Sequence, residues 1–150
     1  MDKEFEQTRI NDVQFIEIPV IQDRRGNLAF IQEPETGFTF ERVFYVYDIP
    51  AGAQRGGHAH IEQREMLIAI SGSFDVIVFD GKEYQRFTLN RPDVGLIIPY
   101  GIWRELENFS TNSIYLTLNT GLYDERDYIR NFDRYLKMKL NGSSGRTPGL

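Results

Sequence analysis

The only two histidines of this 150-residue chain lie one residue apart, in Arg55-Gly56-Gly57-His58-Ala59-His60. Along a strand, side chains alternate between faces, so a strand here would point both imidazoles the same way. Two imidazoles aimed at one spot suit two chemistries: half of a metal site, or a device for moving protons. With Glu65 they make a two-histidine, one-carboxylate set of the kind that can hold non-haem iron. An imidazole of ordinary pKa, about 6.5, can also take and return a proton near neutral pH. The chain has no cysteine, so thiolate nucleophiles, disulfides and thiolate-bound metals are excluded.

These groups need rigid elements to hold them, and the sequence offers strands. Short apolar or alternating runs rich in Val, Ile, Phe and Tyr recur at Val13–Val20, Asn27–Gln32, Phe40–Tyr47, Glu65–Ile70, Phe74–Phe79, Tyr84–Leu89, Gly95–Pro99 and Ser113–Leu118. Ser71-Gly72 and Asp80-Gly81 read as hairpin turns. The pattern predicts one all-β sandwich or barrel spanning residues 1–138. Tyr128, Ile129, Phe132, Tyr135 and Leu136 fall at helical spacing, so a short C-terminal helix is predicted from the N-cap Asp124. Residues 139–150 are Gly/Ser/Pro-rich and read as a disordered tail, native or vector-derived. A net charge of −5 argues against sequence-independent nucleic-acid binding, although the arginines leave room for a local cationic pocket. No apolar run approaches the roughly 18 residues of a membrane span, and the polar start MDKEFEQTR has no signal-peptide core. The expectation is a soluble, cytoplasmic protein.

The spacing extends well beyond the histidine pair. Gly52, His58, Ala59, His60, Glu65 and Gly72 fill G(X)5HXH(X)3–4E(X)6G, the first motif of the cupin family. Pro99, Gly101, Arg104 and Asn108 resemble its second motif, PXG(X)2H(X)3N, with arginine in place of histidine and the leading glycine displaced to Gly95. The resemblance implies an RmlC-like jelly-roll barrel with its ligand inside. In metal-binding cupins that second-motif histidine is a ligand. Arginine is cationic and has no lone pair to give, so Arg104 cannot ligate and would repel a divalent ion. His58, His60 and Glu65 still leave a metal-dependent cupin open as a rival. Glu65 would otherwise orient an imidazole or pair with Arg64 or Arg104.

Further segments narrow the resemblance. Asp23-Arg24-Arg25-Gly26-Asn27-Leu28, Arg42-Val43-Phe44-Tyr45-Val46, Gly57-His58-Ala59-His60, Gly101-Ile102-Trp103-Arg104-Glu105 and Tyr123-Asp124-Glu125-Arg126-Asp127-Tyr128-Ile129-Arg130 occur in this order. Together they are similar to the sugar 3,4-ketoisomerases acting on dTDP-4-oxo-6-deoxyglucose. That family often has histidine where this chain has Arg104. The resemblance implies proton transfer through an enediolate without metal or cofactor. It also implies a homodimer with exchanged N-terminal strands, serving deoxyamino-sugar synthesis. His60 is expected over the C3–C4 bond, with His58 bonding a sugar oxygen or moving the hydroxyl proton, and Tyr45 polarising or orienting a sugar oxygen. Arg25, Arg55 and Arg104 are expected to hold the diphosphate, and Trp103 is a candidate platform for thymine. The alternatives are a 3,5-epimerase on the same sugar class, the metal-dependent enzyme, and a non-catalytic sugar-binding cupin.

Overall fold

The computed structural model describes residues 3–145. Its strands are β1 (Gln14–Glu17), β2 (Val20–Ile21), β3 (Leu28–Ala29), β4 (Arg42–Val46), β5 (Arg55–His60), β6 (Glu65–Ser71), β7 (Phe74–Phe79), β8 (Tyr84–Leu89), β9 (Val94–Ile98), β10 (Trp103–Glu107), β11 (Ile114–Asn119) and β12 (Tyr128–Ile129). The helices are the one-turn α1 (Glu33–Thr36) and α2 (Phe132–Gly145). One antiparallel sheet runs β1-β9-β6-β11-β4, a second runs β12-β5-β10-β7-β8, and β2 with β3 forms a separate hairpin. This is the all-β jelly roll, with a C-terminal helix, that the sequence predicts. No helix among the described residues is long and apolar enough to cross a membrane.

The two large sheets face each other across a core of Leu67, Ala69, Leu96 and Ile98 from the first and Val76, Val78, Leu89 and Leu106 from the second. Burying each large aliphatic side chain contributes about 1.5–3 kcal/mol. The outer face of the first sheet is half covered: Ile31, Phe38 and Phe40 fold back over Met66, Ile68 and Leu118. The outer face of the second sheet packs Phe79 and Trp103 beneath Tyr135 of α2.

Two local expectations need correction. Ser71-Gly72 is not a hairpin turn, because β6 lies in the first sheet and β7 in the second, and the chain crosses between them there. Asp80-Gly81 does close a hairpin, with Phe79 opposite Tyr84. The Asp80 carboxylate there accepts the backbone N–H groups of Lys82 and Glu83, each at 2.8 Å. The second correction concerns the C-terminal helix, which begins at Phe132 rather than after Asp124. Asp124 instead caps a single 3-10 turn, Glu125–Asp127. Tyr128 and Ile129 then pair with His60 and Ala59 as an added strand. Satisfying the free edge of β5 outweighs the local helical pattern.

The stretch from residue 139, read as disordered, begins inside α2. Lys139 is buried, and its Nζ donates to Phe5 O at 2.6 Å and to both Thr8 O and Thr8 Oγ1 at 2.7 Å. Gly101 abuts this clasp at φ +79°, and a Cβ there would stand 2.4 Å from Phe5 O. Residues 146–150 of the expected tail lie outside the described residues.

Candidate active site

β5 aims His58 and His60 between the sheets, while Ala59 faces the α2 side. Strict alternation would turn Arg55 away from His58, yet both line the same cavity. The cause is a bulge: Arg104 pairs with His58 but Glu105 pairs with Gly56, leaving Gly57 as the extra residue. Gly57 takes φ +73° and Gly56 φ +80°, and a Cβ on Gly56 would meet Arg104 O at 3.0 Å. The two glycines before the histidines thus bring a cation and an imidazole onto one wall. The cavity holds about 240 Å³ and is also lined by Phe44, Glu65, Leu67, Arg104, Leu106, Tyr115, Thr117, Tyr128 and Arg130.

The charges at its floor are tightly partnered. Arg104, fully buried, donates Nη1 to Glu65 Oε1, Nε to Ile102 O at 3.2 Å, and Nη2 to Ile102 O at 3.0 Å and Pro99 O at 3.4 Å. Asn119 Nδ2 donates to Glu65 Oε2 at 3.0 Å. Burial opposes ionisation of Glu65, but the Arg104 guanidinium beside it outweighs that and holds the carboxyl below its ordinary range. Glu65 is therefore a carboxylate.

The two imidazoles differ sharply. His60 is fully buried, with Nδ1 2.8 Å from Asp127 Oδ2. Its Nε2 lies 3.3 Å from Glu65 Oε2 but off the line of a hydrogen bond. Asp127 is itself fixed by the backbone N–H of Glu62 at 2.7 Å. His58 lines the cavity with its side chain 14% exposed, and neither ring nitrogen has a partner among the described residues. Burial, and next the Arg104 charge, push its pKa down to about 3. His58 is thus a neutral imidazole held by packing, its ring bordering the cavity and its Nε2 3.9 Å from Glu65 Oε1.

Of the other expected site residues, Glu65, Arg55 and Arg104 join this cavity, and Tyr45, Trp103 and Arg25 do not. Arg55 Nε donates to Tyr115 Oη at 3.0 Å. Tyr45 lies on the outward face of β4, 63% exposed, because alternation turns Phe44 inward instead. Trp103 is 5% exposed but points away from the cavity into the cluster beneath α2, since Arg104 takes the inward position on β10. Its indole donates to Glu105 Oε2 at 3.1 Å. Arg25 lies between β2 and β3, 89% exposed and paired with Asp23 at 2.7 Å.

Sequence reasoning passed over Asp127, Tyr128 and Arg130 as site residues, although it singled out their segment. Reading that segment as helix hid the fact that β12 lays Tyr128 against both imidazoles, with ring centroids 5.1 Å from His58 and 4.5 Å from His60. Arg130 stacks over the Tyr128 ring at 4.4 Å. The Asp127 contact fixes which His60 nitrogen carries the proton. Asp127→Asn is expected to weaken the hold on His60 and to lower the melting temperature, read by thermal denaturation.

A family described as FdtA (WxcM-like, C-terminal) matches residues 11–140. The chain belongs to the FdtA family. Within it, the chain is 38% identical over 118 residues to the TDP-4-oxo-6-deoxy-alpha-D-glucose-3,4-oxoisomerase of Aneurinibacillus thermoaerophilus, covering 78% of this chain and 85% of that one. A TDP-quinovose 3,4-ketoisomerase of Campylobacter jejuni superposes with a TM-score of 0.79 at 40% identity, covering 84% of this chain and 98% of that one. A sugar 3,4-ketoisomerase of Thermoanaerobacterium thermosaccharolyticum, solved with TDP, gives 0.85 at 32% identity over 89% and 98%. A mutant of that enzyme was solved with TDP-4-keto-6-deoxyglucose. By contrast, a dTDP-4-dehydrorhamnose 3,5-epimerase of Bacillus anthracis, at 16% identity and a TM-score of 0.69, shares the fold alone.

A resident metal does not suit this member of the FdtA family. His58, His60 and Glu65 place one donor atom each within 4.8 Å of one another. However, Asn119 already binds one Glu65 oxygen, and a fixed guanidinium binds the other. An incoming divalent ion would meet that charge with no solvent to screen it.

Proposed function

We propose that this chain is a 3,4-ketoisomerase that moves the carbonyl of a dTDP-4-keto-6-deoxyhexose from C4 to C3, in the cytoplasm and without a resident metal. Family membership and relatives that carry out this reaction support the reading. The single observation within the site that carries it is His58: a neutral imidazole without a hydrogen-bond partner among the described residues, lining a cavity with an arginine beside it. In the reaction, the C3–H bond breaks as its proton passes to His58. The electron pair forms the C3–C4 double bond and leaves the former carbonyl oxygen on C4 as an oxyanion. Arg104, a fixed buried cation, favours that negative charge. The hydroxyl proton passes between the adjacent oxygens, the carbonyl reforms at C3, and imidazolium His58 returns its proton to C4. Nothing is oxidised or reduced overall, and the base ends as it began.

His60 was expected to be this shuttle. Its complete burial and its bond to Asp127 make it the weaker candidate, and we assign it to orienting the site. Arg55, with the newly recognised Arg130, is the candidate for the diphosphate at the cavity. Incubation with dTDP-4-keto-6-deoxyglucose in D2O, followed by NMR of the product, tests the reading. A carbonyl at C3 with no deuterium at C5 is expected. Label at C5 would signal an epimerase, and an unchanged sugar a binding protein. Stoichiometric transition metal together with loss of activity on chelation would overturn the metal-free mechanism.

We also infer a homodimer with exchanged N-terminal strands. The β2–β3 hairpin pairs only with itself among the described residues and exposes Ile21 and Leu28. Val43, Tyr45 and Tyr47 stand exposed on or beside β4, the edge strand of the first sheet. Such apolar surface seeks a partner. Light scattering on the eluted protein should give twice the chain mass, and a monomer would refute the exchange. The dimer would also give Arg25 a route to a partner's cavity.

A further inference from the structure

The strand register sorts the cavity into two layers of different chemistry. Glu65 sits opposite Asn119, and these face the imidazoles and Arg104. One step along the same strands, Leu67 sits opposite Thr117, and Thr117 opposite Phe44. On the second sheet, Leu106 follows Arg104 by the same step, and all four of these second-layer side chains line the cavity. Leu67 and Leu106 are buried and apolar. Thr117 is fully buried, yet its Oγ1 has no hydrogen-bond partner among the described residues. A buried hydroxyl without a partner is costly, and valine would fill the same volume without that penalty. The hydroxyl is thus open to a bond from a ligand or a water in the cavity.

We propose that this second layer is a specificity subsite for the non-reacting corner of the sugar. Leu67 and Leu106 receive the C6 methyl, and the Thr117 hydroxyl bonds a neighbouring sugar oxygen. This rests on the isomerase reading above and adds the part of the substrate that the wall selects. A 4-keto-6-deoxyhexose presents a polar reacting edge to the imidazole layer and a methyl group two bonds from C4. A sugar keeping its 6-hydroxyl would bury that group against two leucines, which offer neither donor nor acceptor. An apolar pocket rejects an added hydroxyl by about 100-fold.

The test compares kcat/KM for dTDP-4-keto-6-deoxyglucose and dTDP-4-ketoglucose in wild type, Leu67→Thr, Leu106→Thr and Thr117→Val. Wild type should prefer the 6-deoxy sugar by about 100-fold, and each leucine variant should narrow that ratio about 10-fold. Thr117→Val should melt at or above the wild-type temperature and bind dTDP as wild type does, yet lose about 10-fold or more in kcat/KM. A merely structural threonine would not give that combination. An unchanged preference in the leucine variants overturns the methyl subsite, and full kcat/KM in Thr117→Val overturns the positioning role. Should a leucine variant not fold, Thr117→Val and the wild-type preference still decide. Wild type that isomerises neither sugar overturns the isomerase reading itself. Wild type that isomerises both equally overturns only the subsite.

Discussion

Replacing His58 with asparagine should lower kcat for carbonyl transfer about 10²–10⁴-fold, the range a positioned acid–base side chain supplies. The same variant should bind dTDP within about twofold of wild type and melt at nearly the same temperature. That separation follows from the geometry, since the His58 ring nitrogens make no hydrogen bond among the described residues and their loss breaks none. His60→Asn should behave differently. It disrupts the buried bond to Asp127 and should lower stability along with rate. An active His58→Asn enzyme would return the shuttle to His60. The pH profile gives a second check. The base must be neutral to accept the C3 proton, and burial beside Arg104 moves its pKa down to about 3. Lowering the pH from 8 to 5 therefore leaves it unprotonated, and kcat/KM should stay flat through pH 6.5. An unperturbed imidazole would already have lost half of it there.

The strands of this barrel were legible because their side chains are sorted by the faces they present. Phe74–Phe79 and Tyr84–Leu89 begin and end where alternation and turn residues put them. The partners of Ser71-Gly72 were not legible, because a turn signal says that the chain reverses but not which sheet receives it. The apolar spacing likewise favoured a helix at Tyr128 and Ile129, and the open edge of β5 explains their extended form. In the site, the motif spacing identified the histidines, Glu65 and Arg104. It could not assign depth, which is the ground on which we propose His58 rather than the expected His60 as the base. Tyr45 and Trp103 were carried by segment similarity. One residue of parity sends Tyr45 outward and Phe44 inward, and on β10 the same parity separates Trp103 from Arg104. Arg55 succeeded only because Gly57 breaks that parity.

Arg104→Met should be the most destabilising single change in the site, at about 3–5 kcal/mol, because it leaves the Glu65 carboxylate buried without its cation. For a chain of this size that lowers the melting temperature by roughly 6–20 °C. The Ile102 and Pro99 carbonyls lose their donor as well. Arg104→Met with Glu65→Leu should regain most of the loss, since a buried pair replaced by apolar groups is often neutral. A double variant as unstable as the sum of the single variants would show that the pair is not coupled. The pH dependence separates this charge effect from simple cavity formation. In wild type, Arg104 keeps the folded pKa of Glu65 below its unfolded value. Its contribution is therefore complete above the unfolded carboxylate pKa and is lost as pH falls below it. The depressed His58 pKa acts in the same direction, so that wild-type stability declines as pH drops from 6.5 towards 3. Without Arg104, burial dominates and raises the Glu65 pKa above its unfolded value. The folded variant then takes up a proton first and gains stability as pH falls. The melting-temperature gap between wild type and Arg104→Met should therefore shrink from pH 7.5 to pH 5. A gap independent of pH would mean that lost packing, not the buried charge, sets the cost. Removing Arg104 also relieves His58 of a neighbouring cation, so any residual activity should show an acid limb nearer to pH 6.5. One arginine at the position that the cupin motif gives to histidine thus bears on three properties at once: the charge of Glu65, the neutrality of His58, and the fit of the cavity to a divalent ion.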